Sequence, residues 1–577
     1  MSRILALARP HRAMFLSAAA MAVVMAPLST LRPYLIKVMV DDYVFKYDIE
    51  GLARIALLLF GVLSIEVVLQ YFFLYTTNWL GQVIVRDLRV RVFSHITSLN
   101  LRYFDQTPIG VSTTRTINDI STINSIFSEG IITIMADILT VIAVLTLMFV
   151  SSWKLTLVCL VVVPFLVLTS YIFKENIKQA FQSVRTQTAV MNAFLQERIS
   201  GMKIVQIFNA ETQEMEKFKH INRQYTGANI DSIFAYSVFY PVVEILSATS
   251  LGLMVWYGAR GVIDGEVTLG AMVAFPLYIN MLFRPIRLLA DKFNTLQMGM
   301  VAAERVFDLL DDDTQTEKNG HLKAAQLKEN IYFEDVSFAY DGKHFVLNNV
   351  TFEVESGKTL AIIGSTGSGK TTVISLLNRF YEIQKGQIRI GDTDLQQFTL
   401  DSLRSRIAIV LQDVFLFSGT VLENITLRNT DISAEQVIAA AKMIGAHEFI
   451  EKLPNGYQYQ VMERGATLSM GQRQLISFVR ALVFDPDILI LDEATSSIDP
   501  ETESVIQFAI EKLIAKRTSI IIAHRLSTIQ HANKILVLEK GAVQEFGTPD
   551  ELLSRPDGRY RQLYEMQFIQ HYAVVVE

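Results

Sequence analysis

The sequence predicts a two-part protein: an all-α bundle of six transmembrane helices over residues 1–310, a linker over 311–330, and an α/β domain with a mostly parallel sheet over 331–577. Three observations predict it. The first half carries six apolar stretches long enough to cross a bilayer. From Ile331 onward, short apolar strands alternate with helical segments. One of those strands runs through a glycine-rich turn directly into a helix.

Composition fits such a mixture. Hydrophobic residues make up 51% of the 577 and charged residues 19%, below the roughly 25% usual for soluble domains, and the mean hydropathy is +0.31. The formal net charge of -6 carries no basic excess, so nothing in the bulk electrostatics supports a nucleic-acid partner. The single cysteine, Cys159, lies in an apolar run, which excludes an intrachain disulfide and a cysteine-based metal site. The opening MSRILALARPHR is basic, and apolar sequence continues past Pro27 without a small-residue cleavage motif. A retained first helix with an interfacial lead-in is expected, rather than a removed signal peptide.

A membrane helix needs about 20 apolar residues. The six candidates run approximately Met14 to Ile36, Ile55 to Leu80, Ile131 to Val150, Leu155 to Phe173, Ile233 to Tyr257 and Val267 to Phe283. The second and third are separated by about fifty residues and the fourth and fifth by about sixty, while the other turns are short. Lysine and arginine concentrate in the two long connections, with Arg86, Arg89 and Arg102 in the first and Lys174, Lys178 and Arg185 in the second. That asymmetry places both long connections, the N-terminus and everything after the sixth span in the cytoplasm of a multi-pass membrane protein, read as one of a bacterial inner membrane. Helix-compatible sequence fills the long connections, so the spans are expected to continue as rods beyond the membrane. After Phe283 an amphipathic helix, LADKFNTLQMGMVAAERVFDLLD, leads into the polar linker DDDTQTEKNGHLKAAQLKEN.

Three acids fall within the spans: Glu66, Asp137 and Glu244. A charge in hydrocarbon is costly and normally faces a cavity or a partner. Either these acids line a path for cationic amphiphiles, or they are paired with an arginine or a buried polar group between helices, or they lie nearer the interface than the spans imply.

The chemistry of the second part begins at TLAIIGSTGSGKTTVISLLNRF. Gly364, Gly367 and Gly369 let the turn present bare backbone N–H groups to phosphates, Lys370 adds a point charge, and Thr371 offers a hydroxyl to Mg²⁺. Ser365, Thr366, Ser368 and Thr372 complete the same cradle. Alone, this could be a chance strand-to-helix turn. A second run, ILILDE, is a buried strand ending in two acids: Asp492 suits Mg²⁺, through water, and Glu493 suits the polarisation of an attacking water. Two acids at a strand end are commonly a solvated turn, but their occurrence after the glycine-rich loop reads as a P-loop NTPase that uses ATP and Mg²⁺.

Between these sites, LSMGQ, Leu468 to Gln472, resembles the LSGGQ signature of the ATP-binding cassette family, with Met470 in place of the first glycine. Other landmarks of that family match in order. Tyr340 in VSFAY resembles the aromatic that stacks on adenine, and Gln412 in VLQD the residue that senses Mg²⁺ and water. Glu463 to Gly465 resembles the coupling loop found before the signature in exporters. Ser496 to Asp499 resembles the loop that crosses the dimer interface, and His524 the switch histidine at the γ-phosphate. YFDQTPIGVSTTRTINDI and FNAETQE look like the first and second intracellular loops of exporters, so the resemblance extends over nearly the whole chain. The tail FIQHYAVVVE has no counterpart.

The resemblance implies a cassette with a helical subdomain, and a half-transporter that exports hydrophobic or amphipathic molecules, drugs or lipids, by alternating access in a bilayer. It also implies a dimer in which Ser469, Gly471 and Gln472 act on the nucleotide held by the other copy's P-loop. A homodimer is the expectation. A heterodimer with a second half-transporter and one weakened site is the alternative, since Met470 departs from a core motif. An ATP-gated channel or regulator is a further alternative, against which Glu493 argues. Six spans argue against a soluble ATPase, and the fusion on one chain argues against uptake.

Overall fold

A computed structural model describes residues 2–44, 46–314, 320–492, 500–515, 517–523, 529 and 532–565. They form two compact units, Met1–Thr97 with Thr107–Asp313, and Ser98–Gln106 with Thr314–Glu577. The C-terminal tail singled out above lies outside the described residues.

The first unit holds six helices long and apolar enough to cross a membrane: α1 (Arg9–Val44), α2 (Ile49–Ser98), α3 (Ile109–Ser151), α4 (Trp153–Ser200), α5 (Glu211–Ile263) and α6 (Leu269–Leu310). They run 36 to 53 residues, well beyond the roughly 20 that a bilayer requires. Each predicted span is therefore the apolar part of a longer rod, lying at one end of it in α3, α4 and α6. The predicted sixth span and the amphipathic segment after it form one helix, α6, which passes through Pro276 and Pro285 without ending; neighbouring helices can re-satisfy the backbone groups that a proline frees.

Packing in this unit follows side-chain size. α1, which packs against α3 and α6, buries Ala18, Ala22, Ala26 and Thr30 at four-residue spacing, a stripe of small side chains that lets two backbones approach closely. The Thr30 hydroxyl donates to the Pro27 carbonyl at 2.8 Å, so its polarity is satisfied within the helix. α4 and α5 are joined by Phe173 stacked on Phe239, with ring centroids 4.0 Å apart. Phe275, Tyr278 and Phe283 of α6 are fully buried in the same core. In the most apolar window of α6, 44% of residues are buried, against 6% in α2. α6 is thus central, whereas α2 turns Leu57, Phe60 and Val67 outward as a lipid-type surface.

The second unit contains two main sheets and a short antiparallel pair, β7 (Gly419–Thr420) with β8 (Gln460–Val461). β1 (Ile331–Phe338), β2 (Leu347–Val354), β4 (Lys385–Ile390) and β5 (Thr393–Asp394) form an antiparallel sheet in the order β2-β1-β4-β5. β3 (Thr359–Ile363), β6 (Ile407–Val410), β9 (Ile488–Asp492), β10 (Thr518–Ile522), β11 (Lys534–Glu539) and β12 (Ala542–Gly547) form the other, in the order β12-β11-β3-β10-β9-β6. Only its β11–β12 pairing is antiparallel. β3 and β10 are buried along their whole length, which explains their unbroken apolar sequence: a parallel strand covered on both faces has no polar alternation. A helical subdomain includes Val421–Thr426, Ala434–Met443 and Met470–Val483. Arg480 ties it together by donating to the Asn424 carbonyl at 2.9 Å.

Residues 98–106, inside the first predicted part, cluster with this second unit. The Asn100 amide donates to the Thr314 carbonyl at 2.9 Å, and the Tyr381 hydroxyl donates to Asp105 on the short helix Leu101–Gln106.

Candidate functional site

Because β3, β10, β9 and β6 are parallel and in register, their carboxyl ends share one edge: Ile522 pairs with Ile362 on one side and Asp492 on the other, and Val410 pairs with Leu491. Ligands in open α/β sheets bind at this edge. The glycine-rich loop leaves β3 there, Asp492 ends β9 there, and Gln412 follows β6 by two residues.

The loop has a buried inner half and an exposed crest. Ser365, Thr366 and Gly367 are exposed, whereas Ser368, Gly369, Lys370 and Thr372 are buried. Gly364 has φ +155°, and a Cβ there would lie 2.1 Å from the Leu538 carbonyl oxygen. Gly369 caps helix α7 (Lys370–Leu377) at φ +100°, where a Cβ would meet Leu347 Cδ2 at 2.5 Å. Only glycine fits both the torsion and the space at these positions. The Ser368 hydroxyl is buried without a partner among the described residues. Gly364→Ala is expected to destabilise the protein by about 1–3 kcal/mol, seen as a lowered Tm in thermal unfolding; an unchanged Tm would mean that the β11 end yields freely.

Lys370 is 7% exposed, and its ammonium donates to the carbonyls of Gly364 at 2.8 Å and Ser365 at 3.0 Å. Burial holds its pKa below the usual lysine range, and the charge of Asp492 pulls in the opposite direction. The two predicted phosphate and metal groups therefore feel each other electrostatically. Thr371 is exposed in the first turn of α7, and Gln412 is exposed beyond β6, so both are free to meet a ligand. A Mg²⁺ site built on few protein groups plus substrate phosphates needs no more than such a hydroxyl and carboxylate. Glu493, Ser496 to Asp499 and His524 lie outside the described residues.

Tyr340 stands beside the loop, its hydroxyl 3.2 Å from that of Thr372. Its ring meets Phe338 edge-on at 4.8 Å and Tyr381 edge-on at 5.0 Å. Tyr381 was not among the sequence candidates. Burial and the neighbouring Asp105 push its phenol pKa up, so it stays a donor. The signal was half visible: Asp105 belongs to the YFDQTPIG run, but nothing local to Tyr381 names its partner.

The signature opens helix α8 (Met470–Val483). Ser469 is its N-cap: the Gln472 amide donates to the Ser469 hydroxyl at 3.2 Å, and the Ser469 amide donates to Gln472 Oε1 at 3.0 Å. Ser469 is exposed, Met470 half-buried and Gly471 buried. The arrangement is an exposed helix N-terminus with a hydroxyl at its rim, a favourable site for phosphate. Just before it, Gly465 has φ +70° in the turn Glu463–Gly465, and Arg473 reaches back to the Gly465 and Leu468 carbonyls at 3.4 Å each.

In the membrane unit the three acids differ. Asp137 is ion-paired with Lys292 of α6. Glu66 is half-buried, with one carboxylate oxygen lacking a partner among the described residues. Glu244 is exposed on α5.

Residues 14–286 match the ABC transporter transmembrane region family and residues 347–496 the ABC transporter family of ATP-binding domains. An ABC transporter ATP-binding protein of Bacillus subtilis is 37% identical over 98% of this chain and 94% of the relative. A probable multidrug resistance ABC transporter ATP-binding/permease protein of the same organism is 37% identical over 92% of this chain and 79% of its own length. An ATP-dependent lipid A-core flippase of Desulfotalea psychrophila is 36% identical over 94% of this chain and 95% of the relative. With its membrane-spanning bundle and ATP-binding cassette on one polypeptide, the chain belongs to the ABC transporter family and couples ATP hydrolysis to export across a membrane.

Proposed function

We propose that this chain works as a homodimer exporting hydrophobic or amphipathic molecules, drugs or lipids, across a bacterial inner membrane, with its N-terminus and cassette in the cytoplasm. The observation that supports the dimer is the exposed Ser469 at the N-terminus of α8: such a helix end favours phosphate, and the nucleotide on the P-loop of a second copy would supply it. The substrate class rests on relatives named as a multidrug transporter and a lipid A-core flippase.

In this reading Gly364 to Thr372 cradle the ATP phosphates, Tyr340 packs on the base, and Thr371 and Asp492 hold Mg²⁺ with Gln412 beside them. The ion, when bound, neutralises charge on the phosphate oxygens. Glu493 activates water, and His524 contacts the γ-phosphate. Binding of ATP favours the closed dimer through its differential affinity for that state, which turns the bundle from inward-facing to outward-facing, and hydrolysis resets it. A heterodimer is the second reading, favoured by Met470 in the signature.

The test is ATP turnover of the purified chain alone in lipid against a panel of drugs and lipids. Robust turnover stimulated by amphiphiles is expected. An inactive chain that gains turnover on addition of a second half-transporter would replace the homodimer with the heterodimer.

A further inference from the structure

We propose that a cavity between α3, α4 and α6 of the membrane unit is a headgroup site for anionic amphiphiles, the headgroup being a phosphate-type anion; this deepens, and rests on, the exporter reading. The cavity holds about 360 Å³. Lys174, Lys178 and Arg185 of α4 and Arg305 of α6 line it, against two carboxylates, Asp119 and Asp291.

Both acids have a partner, Asp119 at one carboxylate oxygen only among the described residues. Asp119 is buried at the end of a π-helical turn, Arg115–Asp119, and pairs with Arg305 at 3.5 Å, while Asp291 accepts the Tyr236 hydroxyl at 3.1 Å. No ion pair joins Lys178 or Arg185 to a carboxylate among the described residues. Residues 174, 178 and 185 recur on one face of α4, where like charges repel one another. An anion that enters among them relieves that repulsion and gains from each.

The lining also says what carries the anion. Phe181, Phe293, Met298 and Val301 share the wall, and the Lys174 ammonium lies over the Phe293 ring at 4.6 Å. Lys174 directly follows Phe173, where the apolar run of α4 ends. An amphiphile whose chain lies among the spans places its headgroup at this level, as lysines at helix ends do with their own charges. Free phosphate would have no use for the apolar wall. Four basic side chains against two carboxylates leave the cavity cationic in balance.

The experiment uses the full chain in detergent micelles and fluorescence anisotropy of labelled phosphatidic acid and phosphatidylcholine with matched chains. Phosphatidic acid is expected to bind about tenfold more tightly, with the preference shrinking as salt rises. K178Q/R185Q should erase the preference, and K178R/R185K should keep it. Equal affinity of the wild-type chain for the two lipids, or a preference retained in K178Q/R185Q, overturns the proposal. Unlabelled phosphatidic acid should displace the probe where equal inorganic phosphate does not; displacement by inorganic phosphate overturns the amphiphile assignment. ATP turnover of the same preparation separates the two readings. Selective binding without turnover rejects the homodimer and keeps the site, while turnover without selectivity does the reverse.

Discussion

Replacing Lys370 with methionine is expected to lower ATP turnover by about two to three orders of magnitude, measured as phosphate release from the chain in lipid. The side chain is buried, and its hydrogen bonds go to two neutral carbonyls, of Gly364 and Ser365. Desolvation disfavours its charge, and the charge of Asp492 works the other way. A buried ammonium so incompletely answered gains strongly from an arriving polyphosphate, and it gains more as negative charge shifts onto the γ-phosphate oxygens. Methionine keeps much of the stem, so Val373 and Ile374 of α7 stay packed and the Tm should hold. Arginine is not expected to rescue, because its planar fork does not fit a space shaped for a point charge. Turnover within about threefold of wild type would remove Lys370 from the phosphate site.

How much of this was legible in the sequence depends on the range of the interaction. The apolar middle of each span is a local property, and all six spans were readable. Their ends were not, because the polar turns that extend α2 to Ser98 or α5 back to Glu211 carry no hydropathy signal once helical propensity alone sustains them. The glycine-rich turn was legible because its torsions demand glycine at fixed spacing. The antiparallel sheet of β1, β2, β4 and β5 was not distinguished from the parallel one, since pairing direction is not written in strands of two to eight residues. Lys292 meets Asp137 across 155 positions, and Tyr381 meets Asp105 across 276; no periodicity reports such pairs. Lys174, Lys178 and Arg185 were read only as marks of a cytoplasmic connection. The fold gathers them with Arg305 around one cavity, which is information about packing rather than composition.

Replacing Glu493 with glutamine is expected to abolish measurable ATP turnover while leaving nucleotide binding intact, the opposite of the Lys370 variant in its second effect. Glutamine matches the size of glutamate and can still orient a water, but it cannot take up the proton that the attacking water must lose. That loss is worth about 10²–10⁴-fold. Asp492, Thr371 and Lys370 remain, so ATP still binds and still favours closure, and without hydrolysis nothing returns the protein to the open state. After incubation with labelled ATP and rapid removal of free nucleotide, the Glu493→Gln chain should retain intact ATP, the wild type ADP, and the Lys370→Met chain little of either. Wild-type turnover in Glu493→Gln would sink the assignment of the base. The same trapping bears on the partner. In the proposed dimer the retaining site takes Ser469 from a second cassette, so intact ATP held by the purified chain alone would mean that two identical copies complete it, Met470 included. Retention only after another half-transporter is added would place the competent signature on that other chain.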